Sequence, residues 1–257
     1  MKTRSTTALF AAGALGLVMF SARPAAAQGT EVHAFVSNGM KAVIDDLRPQ
    51  LERALGHPLA FQFGTTTGLK QRIEAGENFD VTVLTSEAVA DLLKEGKLAA
   101  DSRTDLARCG IGVGMRTGAS KPDIRTPGAL KQALHNAKSI TFARDGASRV
   151  YLEQMFQRFG IGDEMKAKTL LESGSVAANA RVQAGGAEYI LTLVSEILPA
   201  PGVTLVGPLP GEVQNYVNFS GGVSAKASNA AAAKALLRFL KGSAAAPVYQ
   251  AKGMEPR

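Results

Sequence analysis

Residues 61–89 read FQFGTTTGLKQRIEAGENFDVTVLTSEAV, and the fold class turns on them. Leu59-Ala60-Phe61-Gln62-Phe63 alternates large apolar side chains with smaller or polar ones, the period-two pattern of a strand. It runs into Gly64-Thr65-Thr66-Thr67-Gly68, a small polar turn opening a helical pattern at Leu69 and Ile73 that Gly76 closes. Phe79 to Leu84 reads as a second strand, which delivers Thr85-Ser86 to another helix start. Two hydroxyl-rich turns would then lie side by side at the carboxyl edge of a parallel sheet, where open α/β sheets bind ligands. Helix N-termini there offer free N–H groups and a partial positive charge, so an anion is the fitting guest. Ser and Thr also cap helices with no ligand involved. For either turn alone capping is the commoner role; it is the pairing that points to a site.

Upstream, Glu31 to Val36 reads as a strand ending at Ser37-Asn38-Gly39, before an amphipathic helix carrying Met40, Val43, Ile44, Leu47, Leu51 and Leu55. Gly56 stops that helix, and Pro49 is expected to kink or interrupt it. Downstream, a helix through Val89 and Leu92 ends at Gly96, and Asp101 to Asp105 reads as a polar connection. Ile111 to Met115 is a strand with two glycines, near which the chain is expected to change lobes. Strands follow at Ser139–Ala143, Lys168–Leu171, Tyr189–Val194, Val203–Val206 and Tyr216–Ser224, with helices between them. Arg144-Asp145-Gly146-Ala147-Ser148-Arg149 opens one of these helices, and Ser173-Gly174-Ser175-Val176 another. Asn229 is placed to cap an alanine-rich helix. This alternation argues for parallel α/β sheets.

With 257 residues, 46% of them hydrophobic, the chain can bury one large core or two smaller ones. Residues 1–27 combine a basic start, an apolar run from Ala8 to Phe20 and Ala25-Ala26-Ala27, the order of a cleaved signal peptide. The expected address is therefore the periplasm. Removing Lys2, Arg4 and Arg23 with this segment lowers the formal charge by three, from +7 to +4. With no Lys/Arg cluster and no Trp, nucleic-acid binding has no support beyond the pI. Cys109 is the single cysteine, so no internal disulfide can form; a buried, inert thiol is expected there. His33 has no partner at metal-ligand spacing, so neither a protein-held metal nor a cofactor is expected.

The mature chain resembles the type II periplasmic solute-binding proteins, particularly their molybdate-binding branch. The resemblance rests on Phe35-Val36-Ser37-Asn38-Gly39-Met40-Lys41, Phe63 to Leu69, Gln71 to Gly76, Asp80-Val81-Thr82-Val83 and Leu92 to Leu98. It implies two α/β lobes joined by crossover strands, with a ligand cleft between them. Lobe 1 is expected at 28–108 plus 218–257 and lobe 2 at 109–217. It further implies a small anionic ligand, a monomer, and an ABC permease of the inner membrane as partner.

The family's ligand loops fall on Ser37-Asn38-Gly39, Thr65-Thr66, Gly146-Ala147-Ser148 and Ser175-Val176. Thr67, Thr85 and Ser86 join them as neighbours on the same turns. Two departures stand out: the first-loop hydroxyl falls at or beside Gly39, and the binders' tyrosine hydroxyl position holds Leu193. Arg144 and Arg149 flank the third loop, and arginine pairs with carboxylates in a two-pronged fork. An organic polycarboxylate is therefore favoured over molybdate. Asp101 to Leu106, Lys121 to Ile124, Ala147 to Leu152 and Pro201 to Gly207 are also similar to stretches of the bacterial periplasmic aconitate isomerases, which share this fold.

A transport receptor is thus the leading reading and an isomerase the alternative. An isomerase needs a base beside the ligand. Asp145 and Glu188 are the candidate acids, although surface or capping roles are commoner for both.

Overall fold

The computed structural model describes residues 31–257, so the expected signal peptide at residues 1–27 lies outside the described residues. Strand β1 (Val32–Ser37) passes through one 3-10 turn into helix α1 (Lys41–Leu55). Then come β2 (Leu59–Gly64), α2 (Thr66–Glu74), β3 (Val81–Thr85) and α3 (Ser86–Lys94). β1 sits between β2 and β3 and is parallel to both, with Val36 level with Phe63 on one side and Val83 on the other. Its apolar residues are buried on both faces because helices cover the sheet on each side.

α1 buries Val43, Ile44, Leu47 and Leu51 and ends at Gly56, whose φ of 66° is left-handed and costs a glycine little. It runs through Pro49 as one helix. Pro49 is exposed, so the carbonyl it leaves unpaired faces water, and the expected interruption does not occur.

β4 (Thr104–Arg116) is the longest of the described strands and pairs with both halves of the sheet. Its first half pairs antiparallel with β9 (Tyr216–Val223), its second half with β7 (Tyr189–Leu193) and β8 (Val203–Pro208). The chain therefore crosses from one half of the molecule to the other within this strand. The segment from Asp101 to Asp105, read as a polar connection, overlaps its beginning. A bulge between Asp105 and Ala107 breaks the period-two pattern and puts Leu106 and Ala107 together in the core, which hid the strand's start. The two glycines of β4 mark close approaches. A Cβ on Gly114 would lie 2.8 Å from Ile190 Cγ2, and one on Gly112 would lie 3.0 Å from Leu205 Cδ1.

The second half holds α4 (Pro127–Asn136), β5 (Ile140–Ala143), α5 (Arg149–Arg158), α6 (Gly162–Lys168), β6 (Thr169–Glu172), α7 (Ser175–Gln183) and α8 (Val194–Ile197). β5 is parallel to β6 and β7, repeating the arrangement of the first half. The chain returns through β9 to α9 (Ala230–Lys241), α10 (Ala246–Ala251) and β10 (Met254–Pro256), which adds to β4. The strand order is β2-β1-β3-β9-β4-β7-β5-β6. The fold is thus two-lobed α/β with mixed sheets: parallel triplets on the flanks and antiparallel ladders around β4 and β9. Helices α6 and α8 and strand β10 are too short to show a sequence period, and pattern reading misses them.

Candidate functional site

The two parallel triplets point their carboxyl ends at each other. From the first half Ser37, Asn38, Thr65 and Thr66 reach a cavity of about 20 Å³. From the second half Ala143, Gly146, Ala147, Ser175, Leu193 and Glu196 close it. Space of that size admits about one water molecule.

The hydroxyls here are only partly used for capping. Thr65 does cap α2, accepting from Gly68 N at 3.2 Å, but its own proton remains free to donate. Ser37 makes no capping bond. Its Oγ accepts from Thr66 Oγ1 at 3.3 Å, and Thr66 Oγ1 in turn accepts from Thr85 N at 3.4 Å. The turns after β1, β2 and β3 are therefore tied together.

Opposite them, Ser195 Oγ donates to the Gly39 carbonyl at 2.8 Å, a buried bond between the halves. Asn179 Nδ2 donates to the carbonyls of Ser175 and Glu196, both at 3.0 Å, which docks α7 on α8.

Glu196 is the residue that pattern reading missed. It lies on α8, three residues past β7, and lines both the small cavity and an adjoining one of about 340 Å³. Thr192 and Ser175 donate hydroxyl hydrogen bonds to its carboxylate. Burial pushes its pKa above the ordinary glutamate value, against the opposing pull of those hydroxyls and of the Leu193 backbone. A Ser-Glu pair after an apolar strand was the only sequence signal, and α8 is too short to orient it.

Several expected site residues sit elsewhere. Arg149 Nε pairs with Glu153 one turn along α5 at 2.8 Å, and its Nη1 donates to the Arg144 carbonyl at 2.7 Å. This local i,i+4 pairing turns Arg149 toward a separate cavity between α5 and β6. Arg144 and Asp145 are exposed on the loop. Neither arginine lines the small cavity. Glu188 lies at the opposite, amino edge of β7, accepting from Lys138 N at 2.9 Å. Neither acid proposed as a base is in the cavity wall.

Ser86 Oγ bonds Ser220 Oγ at 2.6 Å, and Ser220 donates to Asp105 at 2.6 Å, so that hydroxyl serves the crossing strands. Thr67 is exposed, Thr85 stands behind Thr66, and Ser148 is buried outside the cavity lining. Val176 is exposed and lines the larger cavity.

The two departures from the molybdate-binding pattern prove to be neighbours. A Cβ on Gly39 would lie 2.8 Å from Leu193 Cδ1 and 2.6 Å from Phe219 Cζ. Hydrocarbon fills the corner where two hydroxyls were expected. Cys109 lies beneath, fully buried, its Sγ accepting from Ser195 N at 3.4 Å, and burial pushes the thiol up to about 11.

The family model for bacterial extracellular solute-binding proteins matches residues 32–255, nearly the whole described chain. The chain belongs to that family. An aconitate isomerase from a Pseudomonas species is 31% identical over 255 residues, covering 95% of each chain. The molybdate-binding protein ModA of Azotobacter vinelandii is 28% identical over 233 residues, 89% of this chain and 91% of that one. Among solved structures, the Azotobacter vinelandii periplasmic molybdate-binding protein superposes with a TM-score of 0.72 at 15% identity, covering 87% of this chain and 98% of that one. At that identity the superposition speaks for the fold. This solute-binding protein thus shares its scaffold with anion binders and with an enzyme.

Proposed function

We propose that the protein is a periplasmic receptor that closes on a small anion between its lobes and presents it to an ABC permease of the inner membrane. The lobes would comprise residues 28–108 with 218–257, and residues 109–217, and the receptor would act as a monomer without a cofactor. The observation that carries this reading is the meeting of the Ser37 and Thr65 hydroxyls and the N-terminus of α7 at Ser175 with Gly146 and Ala147 at one cavity. Hydroxyls and helix N-termini are neutral donors suited to an anion's oxygens. The cavity is narrow, and the lobes would part to admit the anion, with β4 and β9 as the connecting strands.

A carboxylate is favoured over molybdate. Leu193 and Gly39 withhold two hydroxyls that a molybdate site would use, and the adjoining space of about 340 Å³ has room for an organic body. The mature protein is to be screened by thermal melting against molybdate, sulfate, citrate, tricarballylate and both aconitates. A ligand at 100 times its Kd adds about 2.7 kcal/mol to stability. A melting shift with molybdate and with none of the carboxylates would refute the ligand class.

The second reading is a proton-transfer isomerase, and Glu196 is the observation that favours it. A carboxyl in the cavity wall is the kind of group that shifts a proton between two carbons. Trans-aconitate incubated with the protein in heavy water separates the readings. Conversion to the cis isomer, followed by NMR, overturns the receptor; tight binding without exchange overturns the isomerase.

A further inference from the structure

We propose that Glu196 makes anion capture proton-coupled: the site binds its anion with Glu196 as a neutral acid, which donates its proton toward the ligand. This rests on the anion-binding reading of the cleft and adds a proton to its stoichiometry.

The geometry leaves few alternatives. Glu196 is the single carboxyl among the residues lining the small cavity, and none of those residues is a cation. Among the described residues no salt bridge includes it. An anion entering beside an ionised carboxylate meets a like charge in a poorly solvated space, which disfavours one of the two charges. Protonating Glu196 removes the repulsion and converts an acceptor into a donor. Burial already holds its pKa above the usual value, so the neutral form persists to higher pH than for an exposed glutamate.

The groups packed around α8 do not offset this. From β4 comes Cys109, a thiol whose raised pKa keeps it neutral. From β7 and α7 come the uncharged Thr192, Ser175 and Asn179, and from the first 3-10 turn Asn38. From α1 come Lys41 and Asp45, which line the larger cavity as an ion pair with each other and bring no net charge. Thr192 and Ser175 donate to the carboxylate, and Glu196 and Ser175 both line the cavity.

The test is calorimetric titration of the mature protein with sulfate, molybdate and trans-aconitate between pH 5 and 8, in two buffers of different ionisation enthalpy. Sulfate does not titrate in this range; for trans-aconitate, Glu196→Gln supplies the baseline. The expected result is uptake of up to one proton per anion. Above the pKa of Glu196, affinity should fall by a factor approaching ten per pH unit. Glu196→Gln, which keeps a donor without the titration, should bind with no proton uptake and no such fall. Binding by the native protein without proton uptake overturns the coupling and leaves the anion site standing. Equal uptake by native protein and variant also overturns it. If none of the three anions binds or shifts the melting temperature, the anion-binding reading itself fails and the coupling with it. The native protein's proton count needs no variant, so a variant that misfolds does not protect the proposal.

Discussion

Gly39→Ser tests whether the first ligand loop lacks its hydroxyl because the corner behind it is full. The new Cβ would stand 2.6 Å from Phe219 Cζ and 2.8 Å from Leu193 Cδ1, both well inside contact distance. Phe219 and Leu193 are 1% and 2% exposed, so neither can swing into solvent to make room. The backbone of the turn has little freedom, since the Gly39 carbonyl is held by Ser195 Oγ across the halves. Overpacking of this kind costs about 1–3 kcal/mol. For a chain of this size that corresponds to roughly 2–4 °C in Tm per kcal/mol. The assay is reversible thermal or urea unfolding of the mature protein, with Leu193→Ala and the double variant in the same series. Leu193→Ala alone should cost about 2–5 kcal/mol for the lost side chain and the void. In the double variant the serine occupies part of that void, so the two costs should fall short of additivity by on the order of 1 kcal/mol, the usual coupling between touching residues. The Phe219 contact remains, so the double variant should still be less stable than the native protein. Gly39→Ser at native stability, or strict additivity of the pair, would refute the reasoning.

Thr66→Val removes the hydroxyl that ties Ser37 to Thr85; both bonds are long, so stability should fall by only about 1 kcal/mol in urea unfolding. Anion affinity should fall by about fivefold to tenfold in calorimetry, because the turn carrying Ser37 loses the bond that positions it at the cavity. Arg149→Ala should leave anion affinity within about twofold and change stability by less than about 1 kcal/mol, since its partners are Glu153 and a carbonyl on its own loop. A tenfold loss of binding would place its guanidinium in the closed cleft. Cys109 should resist a thiol reagent at pH 8 in the folded protein and react in denaturant, because the buried thiol titrates near 11. Rapid labelling of the native protein would contradict the packing beneath Ser195.

Local sequence determined a great deal here. The periodicity of Val43, Ile44, Leu47 and Leu51 sets the buried face of α1, and the strand-turn-helix pattern around Thr65 and Thr85 places hydroxyls at a sheet's carboxyl edge. Those are short-range consequences of side-chain spacing and helix capping, and they are legible without a fold. Which hydroxyl faces the cavity was decided only in three dimensions. Thr65 caps, Ser86 turns to Ser220, and Thr66 joins three turns through bonds spanning 29 and 19 residues of sequence. Arg149 looked like a ligand residue from its position beside Gly146, but a glutamate one helical turn away offers a closer partner than the cleft does. Glu196 shows the reverse. Its place in the cavity wall follows from the antiparallel pairing of β7 with β4, where Leu193 lies level with Ile111, and from the packing of α8 on the turn after β1. Such long-range register carries no local signature, because it is set by the summed burial of two halves that meet only when the chain has crossed and returned.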